Sequence, residues 1–414
     1  MNATETTARV PFYDVAILGA GYAGLMAALR LGRRKQGLRV VVINTHDQFL
    51  ERVRLQESIV APVPPRIRSI SQFIAASRVE FIRGSVASLD VDRRRIRITA
   101  GEGEQEIAFD QAIYGLGSHI DVSDVPGASE TAYRLEPGDG PRSAAALRSR
   151  LRENADRLVR IVTVGGAETG IEVAGEIKTA WPNAEVAMIS RSRCGDFKGA
   201  RVEAAVRRAL IQIGVQLIDH EIVTEVRPTG VVTDKGKTLA CDICVWSGGL
   251  RVAPIASDAG LTTDPHGRIR VDAGLRSISH PHIFAVGDAA HPVAPTGAPY
   301  RMSAFAALAS GAYVADAILA HYSKRPLPPF SFSTFGRGVA IGRGGVGFPT
   351  YPDDAQRLFI LEGGTARAVR DFFVWLVTYV LKLERMVPGI FFWPGRRRLS
   401  WQQVNSAIQR ARTA

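Results

Sequence analysis

Two glycine-rich segments contain the residues of this chain whose types and spacing could do chemistry. The first lies in residues 14–43, where an apolar run leads into a glycine turn, a helix-like stretch and a second apolar run. In such a turn the first glycine permits the tight bend, the second lets the backbone approach a pyrophosphate, and the third lets helix and strand pack closely. Free N–H groups at the helix N-terminus then bind the anion. The segment predicts a dinucleotide-binding turn formed by Gly19, Ala20, Gly21, Tyr22, Ala23 and Gly24.

Residues 160–189 repeat the same order of strand, glycine turn, helix and strand at nearly the same spacing. Alanine replaces the middle glycine, which is a variation that such turns tolerate. The repeat predicts two homologous nucleotide-binding lobes. The second turn is formed by Gly165, Gly166, Ala167, Glu168 and Thr169 and is completed by Gly170.

The residue that ends the second strand of each unit is expected to hold the adenosine ribose. In the first lobe this residue is Asn44, whose amide can donate and accept hydrogen bonds with hydroxyl groups. In the second lobe it is Ser190, followed by Arg191 and Arg193. An acid at position 190 would repel a 2′-phosphate, whereas serine and arginine could hold one, so the sequence favours NADPH over NADH. A solvated basic loop is the alternative interpretation of these arginines.

The elements that must position the turns also occur twice. Each unit is followed by alternating apolar and polar residues, typical of a small antiparallel meander. A third segment, HPHIFAVGDAA at 280–290, is a strand that enters a Gly-Asp turn, and we expect it to complete the first lobe. The sequence predicts an α/β fold with two Rossmann-like dinucleotide-binding domains, the second inserted in the first, and a C-terminal α-rich segment. The expected boundaries are 1–125 and 271–330 for the first lobe, 126–270 for the second and 331–414 for the C-terminal region.

Length and composition limit the possible functions. A chain of 414 residues should form two or three domains. The net charge of +12 fits anionic ligands or an anionic membrane surface, and nothing in the chain resembles a nucleic-acid module. Three cysteines and a polar N-terminus are typical of a protein of the reducing cytosol. No apolar run reaches the roughly 18–20 residues that span a bilayer, so we expect a cytoplasmic protein.

Taken together, these segments resemble the FAD/NAD(P)-dependent pyridine-nucleotide oxidoreductases, and most of all their type II NADH dehydrogenase group. The resemblance covers roughly residues 12–320. It is carried by GAGYAG at 19–24, FLERVRLQE at 49–57, YGLGS at 114–118, VGGAETGIEVAGE at 164–176, VWSGG at 245–249 and FAVGDAA at 284–290. It implies FAD in the first lobe, NAD(P)H as substrate in the inserted lobe, and hydride transfer from one to the other.

The resemblance also assigns residues. It implies that Asp288, beside Gly287, contacts the ribityl-phosphate region of FAD and that the backbone of Val86 contacts the adenine. Glu172 would lie near the contact between nicotinamide and flavin as a catalytic residue, and a structural helix carboxylate is the alternative. The remaining residues implied at the cofactors are Arg52, Arg54, Gly115, Gly117 and Gly248.

Two departures from the family pattern limit the chemistry downstream of the flavin. No cysteine precedes Cys194, so the sequence excludes a thiol–disulfide relay and disfavours a sulfide:quinone oxidoreductase. Cys241 and Cys244 are expected to pack in the core, and no metal site is predicted. In the type II enzymes an Ala-Gln…Gln pattern faces flavin and quinone. Here Met302-Ser303 and Ala307 take those positions. The helix N-terminus at Met302, Ser303 and Ala304 is still expected to point at the pyrimidine end of the flavin.

The C-terminal segment 371–398 combines aromatic residues with Arg396, Arg397 and Arg398. Such a segment could lie at a membrane interface, with the enzyme peripheral on the cytoplasmic face, or it could form a homodimer interface or pack on the core. We expect the electron acceptor to be a quinone or a quinone-like aromatic. Two alternatives stay open: a soluble flavoenzyme that acts on a small aromatic secondary metabolite, and a slow redox-sensing binding protein similar to apoptosis-inducing factor.

Overall fold

The computed structural model describes residues 10–32, 37–101, 103–136, 138, 140–197, 199–293, 295–296, 300–393 and 399–413. Up to Tyr114 the chain builds most of the first lobe. Its helices and strands are β1 (Phe12–Leu18), α1 (Tyr22–Gly32), β2 (Val40–Asn44), α2 (Ile70–Ile74), β3 (Val79–Arg83), β4 (Ser85–Asp90), β5 (Arg95–Ala100) and β6 (Gly103–Tyr114). Short 3₁₀ turns lie at Arg52–Arg54, Glu57–Ile59 and Ala75–Ser77.

The first sheet has the order β3-β2-β1-β6-β5-β4. Strands β1, β2, β3 and β6 run parallel, and β4 and β5 form the antiparallel meander with β6. The apolar run of β2 is buried, because strands of a parallel sheet are covered by other elements on both faces. The carboxyl ends of β1 and β2 therefore open at one edge of the sheet, where the glycine turn lies.

The second lobe repeats this plan. Its elements are β7 (His119–Ile120), α3 (Ala128–Thr131), β8 (Tyr133–Arg134), α4 (Ala144–Glu153), β9 (Arg160–Val164), α5 (Glu168–Ala180), β10 (Glu185–Ser190), α6 (Ala200–Gln212), β11 (Val215–Asp219), β12 (Val223–Arg227), β13 (Gly230–Thr233), β14 (Thr238–Ala240), β15 (Ile243–Trp246) and β16 (Leu250–Arg251). A parallel sheet has the order β11-β10-β9-β15-β8, and β12, β13 and β14 form the meander. The predicted α/β class with two Rossmann-like lobes is confirmed.

The chain then returns to the first lobe. The returning elements are α7 (Ile255–Asp258), β17 (Ile269–Val271), β18 (Ile283–Ala285), a 3₁₀ turn at Gly287–Ala289, β19 (Ala290–Pro292) and α8 (Ala304–Tyr322). Strand β18 adds to the first sheet beside β6, with Phe284 opposite Ile113. The segment at 280–290 thus completes the first lobe, as its lack of a βαβ unit predicted, and the second lobe is an insertion.

The C-terminal region begins as a sheet and becomes helical only at Gly363. Its elements are β20 (Gly336–Ile341), β21 (Gly344–Pro349), β22 (Leu361–Glu362), α9 (Gly363–Met386) and α10 (Trp401–Thr413). The predicted α-rich segment is therefore present, but an antiparallel sheet precedes it. Val339, Ile341, Val346 and Phe348 from this sheet join the core of the second lobe. The glycine-rich strands gave only a weak alternating pattern, so the sequence did not reveal this sheet.

Helix α9 packs back on the first lobe and is fixed by a buried ion pair. Arg30 of α1 donates from Nε to Glu384 Oε1 over 2.8 Å, and it also binds Asp316 of α8. Both Arg30 and Glu384 are fully buried. Such a pair is strongly destabilising when one partner is lost, because the other charge stays buried. The C-terminal region thus contacts both lobes, through β20 and β21 on one side and α9 on the other.

Helix α8 differs from the sequence expectation. It is long and apolar enough to cross a membrane by length and composition, although no sufficiently long apolar run was predicted. However, 72% of its most apolar window is buried inside the protein. Gly311 of α8 approaches α1 so closely that a Cβ there would lie 2.2 Å from the carbonyl oxygen of Ala23. The apolar character of α8 is therefore explained by its place in the core.

Candidate dinucleotide sites

The first glycine turn has the geometry that its sequence predicts. Gly19 has φ +94°, and a Cβ there would lie 2.5 Å from the carbonyl oxygen of Gly115. A Cβ at Gly24 would lie 1.9 Å from the carbonyl oxygen of Gly19, so helix and turn pack without room for a side chain. A Cβ at Gly21 would meet nothing within 4 Å. That open space beside the N-terminus of α1 fits a diphosphate that approaches the backbone.

Asn44 lies beside this turn at the end of β2. Its side-chain oxygen accepts a hydrogen bond from the backbone N–H of Ala20 over 2.9 Å, and its amide nitrogen donates to the carbonyl oxygen of His46. The side chain is thus fixed at the edge where a ribose would lie. Its contact with the ribose stays a prediction.

The Gly-Asp turn is brought to the same edge of the first lobe. Ser118 donates from its hydroxyl to Asp288 Oδ2 over 2.7 Å, and Arg52 donates to the carbonyl oxygen of Ser118. Two of the predicted residues, Arg52 and Asp288, are therefore linked through Ser118. Gly117, one residue before Ser118, has φ +74°, which permits the bend of this YGLGS segment.

Two residues that the sequence reasoning missed hold the Gly-Asp turn. Gly287, with φ +59°, donates its backbone N–H to the Ser310 hydroxyl over 3.0 Å. Tyr300 donates from its hydroxyl to the carbonyl oxygen of Gly287 over 3.0 Å. Neither Ser310 nor Tyr300 could be identified from the sequence, because their role depends on α8 packing against the Gly-Asp turn.

The N-terminus of α8 lies next to the Gly-Asp turn, because a Cβ at Gly287 would be 3.5 Å from that of Ala307. Ser303 caps the helix, and its hydroxyl accepts from the backbone N–H of Ala306 over 3.2 Å. The helix begins at Ala304, after Met302, and the first N–H groups of a helix have no carbonyl partner within it. The expected orientation toward the flavin stays a prediction that this geometry allows.

Arg54 and Val86, two further residues that the resemblance implies at the cofactor, have partners of their own. Arg54 binds the carboxylates of Glu57 and Glu51 over 3.1 and 3.7 Å, so its charge is already paired within the 51–57 segment. Val86 is a buried residue of β4. A direct part for Arg54 in cofactor binding, and the adenine contact of Val86, stay predictions.

The second glycine turn is built like the first. Gly165 has φ +122°, and a Cβ at Gly170 would lie 1.9 Å from its carbonyl oxygen. Ala167 precedes α5 with extended backbone, so the N–H groups of Glu168 and Thr169 open the helix. Ser247, from the VWSGG segment, packs so closely that a Cβ at Gly165 would lie 2.6 Å from its Oγ.

The end of β10 lies against this turn. Ser190 is buried, and a Cβ at Gly166 would lie 2.4 Å from its hydroxyl oxygen. Arg191 and Arg193 are both exposed, and Arg193 binds Glu203 of α6 over 2.5 Å. The charge of Arg193 is thus paired with a carboxylate, whereas Arg191 is exposed beside Ser190. Gly248 lies on the other side of the turn and accepts from the Trp246 indole over 3.1 Å.

Glu172 lies where the two lobes and the C-terminal region meet. Arg370 of α9 donates to both of its carboxylate oxygens over 2.8 and 2.7 Å, Gln56 of the first lobe donates over 2.7 Å, and Ala340 of β20 donates its N–H over 3.0 Å. Burial raises the pKa of the Glu172 carboxyl, and the Arg370 guanidinium acts in the opposite direction. Every partner donates to the carboxylate, so this arrangement favours the ionised form.

This network gives Glu172 a structural part that the sequence offered only as an alternative. Its two oxygens already accept four hydrogen bonds, and the residue is 7% exposed. The structure therefore supports a positioning residue that joins the lobes, while direct contact with nicotinamide stays a prediction. Arg370 had no sequence signal, because it lies almost two hundred residues from Glu172 and is one of many arginines.

All three cysteines are buried and free. Burial raises the pKa of the Cys194 thiol to about 12 and that of Cys241 to about 11, and it also raises the pKa of Cys244. Cys241 and Cys244 belong to the hydrophobic core of the second lobe. They pack as core residues, as the sequence predicted.

Comparisons with known proteins agree with this architecture. The family described as pyridine nucleotide-disulphide oxidoreductase matches residues 13–311. Demethylphylloquinone reductase NdbB of Synechocystis sp. is 25% identical over 80% of this chain and 85% of its own length. An NADH dehydrogenase-like protein of Mycobacterium tuberculosis is 28% identical over 67% of this chain and 72% of its own.

The fold agrees as well. The structure of NDH2 from Plasmodium falciparum in complex with NADH superposes with a TM-score of 0.73, covering 92% of this chain and 98% of that one at 14% identity. The family match covers well over half of the chain, and the resemblance found in the sequence is confirmed. The chain is an FAD-dependent NAD(P)H oxidoreductase that belongs to the pyridine nucleotide-disulphide oxidoreductase family and is similar to its type II NADH dehydrogenase-like members.

Proposed function

We propose that the protein is an NAD(P)H:quinone oxidoreductase that holds FAD in its first lobe and takes NADPH in preference to NADH. The observation that carries this proposal is the contact between the two lobes at Gln56 and Glu172, 2.7 Å apart. It brings a loop of the first lobe, four residues after Arg52, against the helix that follows the second glycine turn. Two dinucleotides bound at the two turns would therefore extend toward one place.

Bound FAD would supply the hydride acceptor and the two-electron carrier. The residues of the chain bind and orient. The open side of Gly21 and the N-terminus of α1 would receive its diphosphate, and the linked pair Ser118 and Asp288 would hold the ribityl region. Glu172, held by Arg370, fixes the position of the second lobe relative to the first. Such fixed geometry matters because a small misplacement of reacting atoms slows a reaction strongly.

Support for NADPH comes from the end of β10. Ser190 leaves no carboxylate at the ribose position, and Arg191 is exposed beside it. An arginine can hold a 2′-phosphate through two parallel hydrogen bonds. The pairing of Arg193 with Glu203 reduces the proposed phosphate contacts to Ser190 and Arg191.

Support for a quinone acceptor comes from the relatives. The similar Synechocystis protein is named a demethylphylloquinone reductase. The chain lacks the glutamines of the usual quinone pattern, having Met302, Ser303 and Ala307 instead. We therefore propose a quinone held mainly by apolar contacts, reaching the flavin from the side of α8 and α9.

The surface of α9 supports a membrane as the source of that quinone. One face of the helix packs on the core through Ala366, Val377 and Leu381. Other positions of the helix expose aromatic residues: Phe372, Phe373, Trp375 and Tyr379 are 53%, 36%, 40% and 38% exposed. Trp375 and Tyr379 stack with ring centres 4.4 Å apart. Such a helix suits the interfacial layer of a lipid surface, while Arg396, Arg397 and Arg398 lie outside the described residues.

The reaction is tested by anaerobic rapid mixing of the FAD-loaded protein with NADPH or NADH, followed by acceptors. We expect faster flavin bleaching with NADPH and rapid reoxidation by menadione or a short-chain ubiquinone, with slow reoxidation by oxygen. Absence of quinone-stimulated turnover would contradict the quinone proposal and favour a small aromatic substrate. A very slow first step with a long-lived charge-transfer band would favour a redox sensor. Faster bleaching with NADH would contradict the NADPH preference alone.

Membrane binding is tested by cosedimentation with anionic phospholipid vesicles. We expect the Phe372→Glu/Trp375→Glu variant to lose most vesicle binding, because two charges would enter the apolar layer. The matched control is Leu358→Glu, since Leu358 is 81% exposed but lies outside α9. Equal binding of both variants would contradict a membrane role for the α9 face. A shift from dimer to monomer in the double variant would instead assign the face to self-association.

A further inference from the structure

Arg337 of β20 is a cation held in a fixed plane beside the second glycine turn. Its guanidinium carbon lies 4.8 Å from the ring centre of Phe197 and 5.8 Å from that of Phe348. Both rings are buried, and the Arg337 side chain is 13% exposed. Cation–π contacts with two rings fix the plane of the guanidinium. Its N–H groups, which lie in that plane, remain available for hydrogen bonds. The planar group is thus oriented before any ligand arrives.

The loop that carries Phe197 is itself attached to the glycine turn. Gly195 donates its backbone N–H to the carbonyl oxygen of Gly166 over 3.0 Å. Phe197, which supports Arg337, is therefore linked by a hydrogen bond to the backbone that would receive a diphosphate. Movement of the C-terminal sheet relative to this turn would break the arrangement.

Glu168 holds the other side of Arg337. It is the first residue of α5, its side chain is 44% exposed, and it accepts a hydrogen bond from Arg337 Nη2. A carboxylate at a helix N-terminus is favourable on its own. However, the same place would receive the diphosphate of a dinucleotide, and the two anions would compete for it.

The guanidinium has capacity left for a second anion. It carries five N–H donors in a fixed fork, and Glu168 is its one hydrogen-bond partner within the part of the chain that the structure describes. Arginine forks bind phosphate oxygens through two parallel hydrogen bonds, which lysine cannot imitate.

We propose that Arg337 binds the diphosphate of the nicotinamide dinucleotide, and that Glu168 holds the guanidinium at the turn while the dinucleotide is absent. On arrival the diphosphate takes hydrogen bonds from Arg337 and from the N-terminus of α5, and the Glu168 carboxylate turns to solvent. The C-terminal sheet thereby completes a site that the Rossmann lobe leaves unfinished. This inference rests on the proposed binding of NAD(P)H by the second lobe.

The test is calorimetric titration of the FAD-loaded full chain with ADP-ribose, which carries the diphosphate, and with adenosine, which does not. We expect Arg337→Gln to weaken ADP-ribose binding at least tenfold and to leave adenosine binding unchanged. Glu168→Gln should strengthen ADP-ribose binding severalfold, because a competing carboxylate is removed. Arg343→Gln is the matched control, since Arg343 is exposed at the other end of the same hairpin. We expect this variant to bind both ligands like the parent protein.

The double variant Glu168→Gln/Arg337→Gln distinguishes diphosphate binding by Arg337 from a purely structural role of the Glu168–Arg337 ion pair. We expect it to bind ADP-ribose more weakly than the parent protein and than Glu168→Gln, because the guanidinium donors are lost. Recovery of parental affinity in the double variant, or equal loss of both ligands in Arg337→Gln, would overturn the inference. If Arg337→Gln fails to retain FAD, Glu168→Gln alone provides the test. Unchanged or weaker ADP-ribose binding by Glu168→Gln would contradict competition between the Glu168 carboxylate and the diphosphate. A parent protein that binds neither ADP-ribose nor NADPH would overturn the proposed function of the second lobe itself.

Discussion

The two glycine turns share one backbone geometry and differ in what covers them. In each, a Cβ at the third glycine of the motif would lie 1.9 Å from the carbonyl oxygen of the first. The fourth position of the motif is Tyr22 in the first turn, where it is 7% exposed and packs edge-on against Phe49 with ring centres 5.1 Å apart. In the second turn that position is Glu168, whose side chain is 44% exposed and is held by an ion pair with Arg337.

This difference matches two kinds of ligand. A turn closed by buried aromatic packing suits a cofactor that stays bound, since opening it exposes apolar surface. A turn closed by a partly exposed ion pair suits a substrate that exchanges, because such a pair contributes little and can be replaced by another anion. Under the proposed function, the same motif would serve a resident and a visiting dinucleotide, and the residues that cover each turn would make the difference.

The largest expected effect is at Arg370, where the two lobes are joined. Arg370→Gln leaves the buried Glu172 carboxylate without its ion-pair partner, so we expect the free energy of unfolding to fall by about 3–5 kcal/mol. Lys382→Gln is the control on the same helix, because Lys382 is exposed, and we expect a loss of about 0.5 kcal/mol or less. Denaturant unfolding measures both. Equal losses would show that Glu172 and Arg370 do not hold the lobes together.

The next effect separates the two turns directly. Gly24→Ala and Gly170→Ala each force a methyl group onto a backbone oxygen, and we expect each to cost about 2–3 kcal/mol of stability. Gly24→Ala should lose FAD on gel filtration, whereas Gly170→Ala should keep FAD and no longer be reduced by NADPH. Flavin absorbance and rapid mixing provide the two measurements. Loss of FAD from both variants would remove the distinction between resident and visiting dinucleotide.

A smaller effect is expected at the ends of β2 and β10. Ser190→Asp places a carboxylate beside the proposed 2′-phosphate site, and we expect kcat/KM for NADPH to fall about tenfold relative to NADH, on the order of 1.4 kcal/mol. Asn44→Asp should retain FAD, because the adenosine ribose of FAD bears no 2′-phosphate and the acid still accepts from Ala20. An unchanged ratio of the two nicotinamide substrates in Ser190→Asp would contradict the NADPH preference.

The smallest effect concerns the cysteines. The pKa of Cys194 is raised to about 12 and that of Cys241 to about 11, so both are thiols, not thiolates, at pH 8. We expect the native protein to react with a thiol reagent far more slowly than the unfolded protein at that pH, because the thiolate is the nucleophile. Cys241→Ala/Cys244→Ala should leave the rate of flavin reduction unchanged. Rapid labelling of the native state, or a lost reduction step, would reopen a part for sulfur in this lobe.

The doubled plan and the residues of both turns could be predicted from the amino-acid sequence. These are local features: Gly24 and Gly170 each contact the first glycine of their own turn, and Gly19 and Gly165 have a positive φ, so the spacing of the glycines carries the information. The order of apolar runs likewise predicted two parallel sheets and the return of 280–290 to the first. The resemblance added Asp288, and the structure supplied its partner Ser118 at the end of a motif already identified.

The residues that complete the sites could be identified only from the packing of the folded chain. Arg337 and Arg370 act on Glu168 and Glu172 from 169 and 198 residues away, and no local pattern distinguishes them from the other basic residues of the chain. The same holds for α8, whose composition suits a membrane and whose packing places it in the core. Glu172 could be interpreted from sequence as catalytic or as structural, because its meaning depends on which side chains face it. The covering of each glycine turn depends in the same way on elements distant in the chain, which come together only when the lobes and the C-terminal region pack.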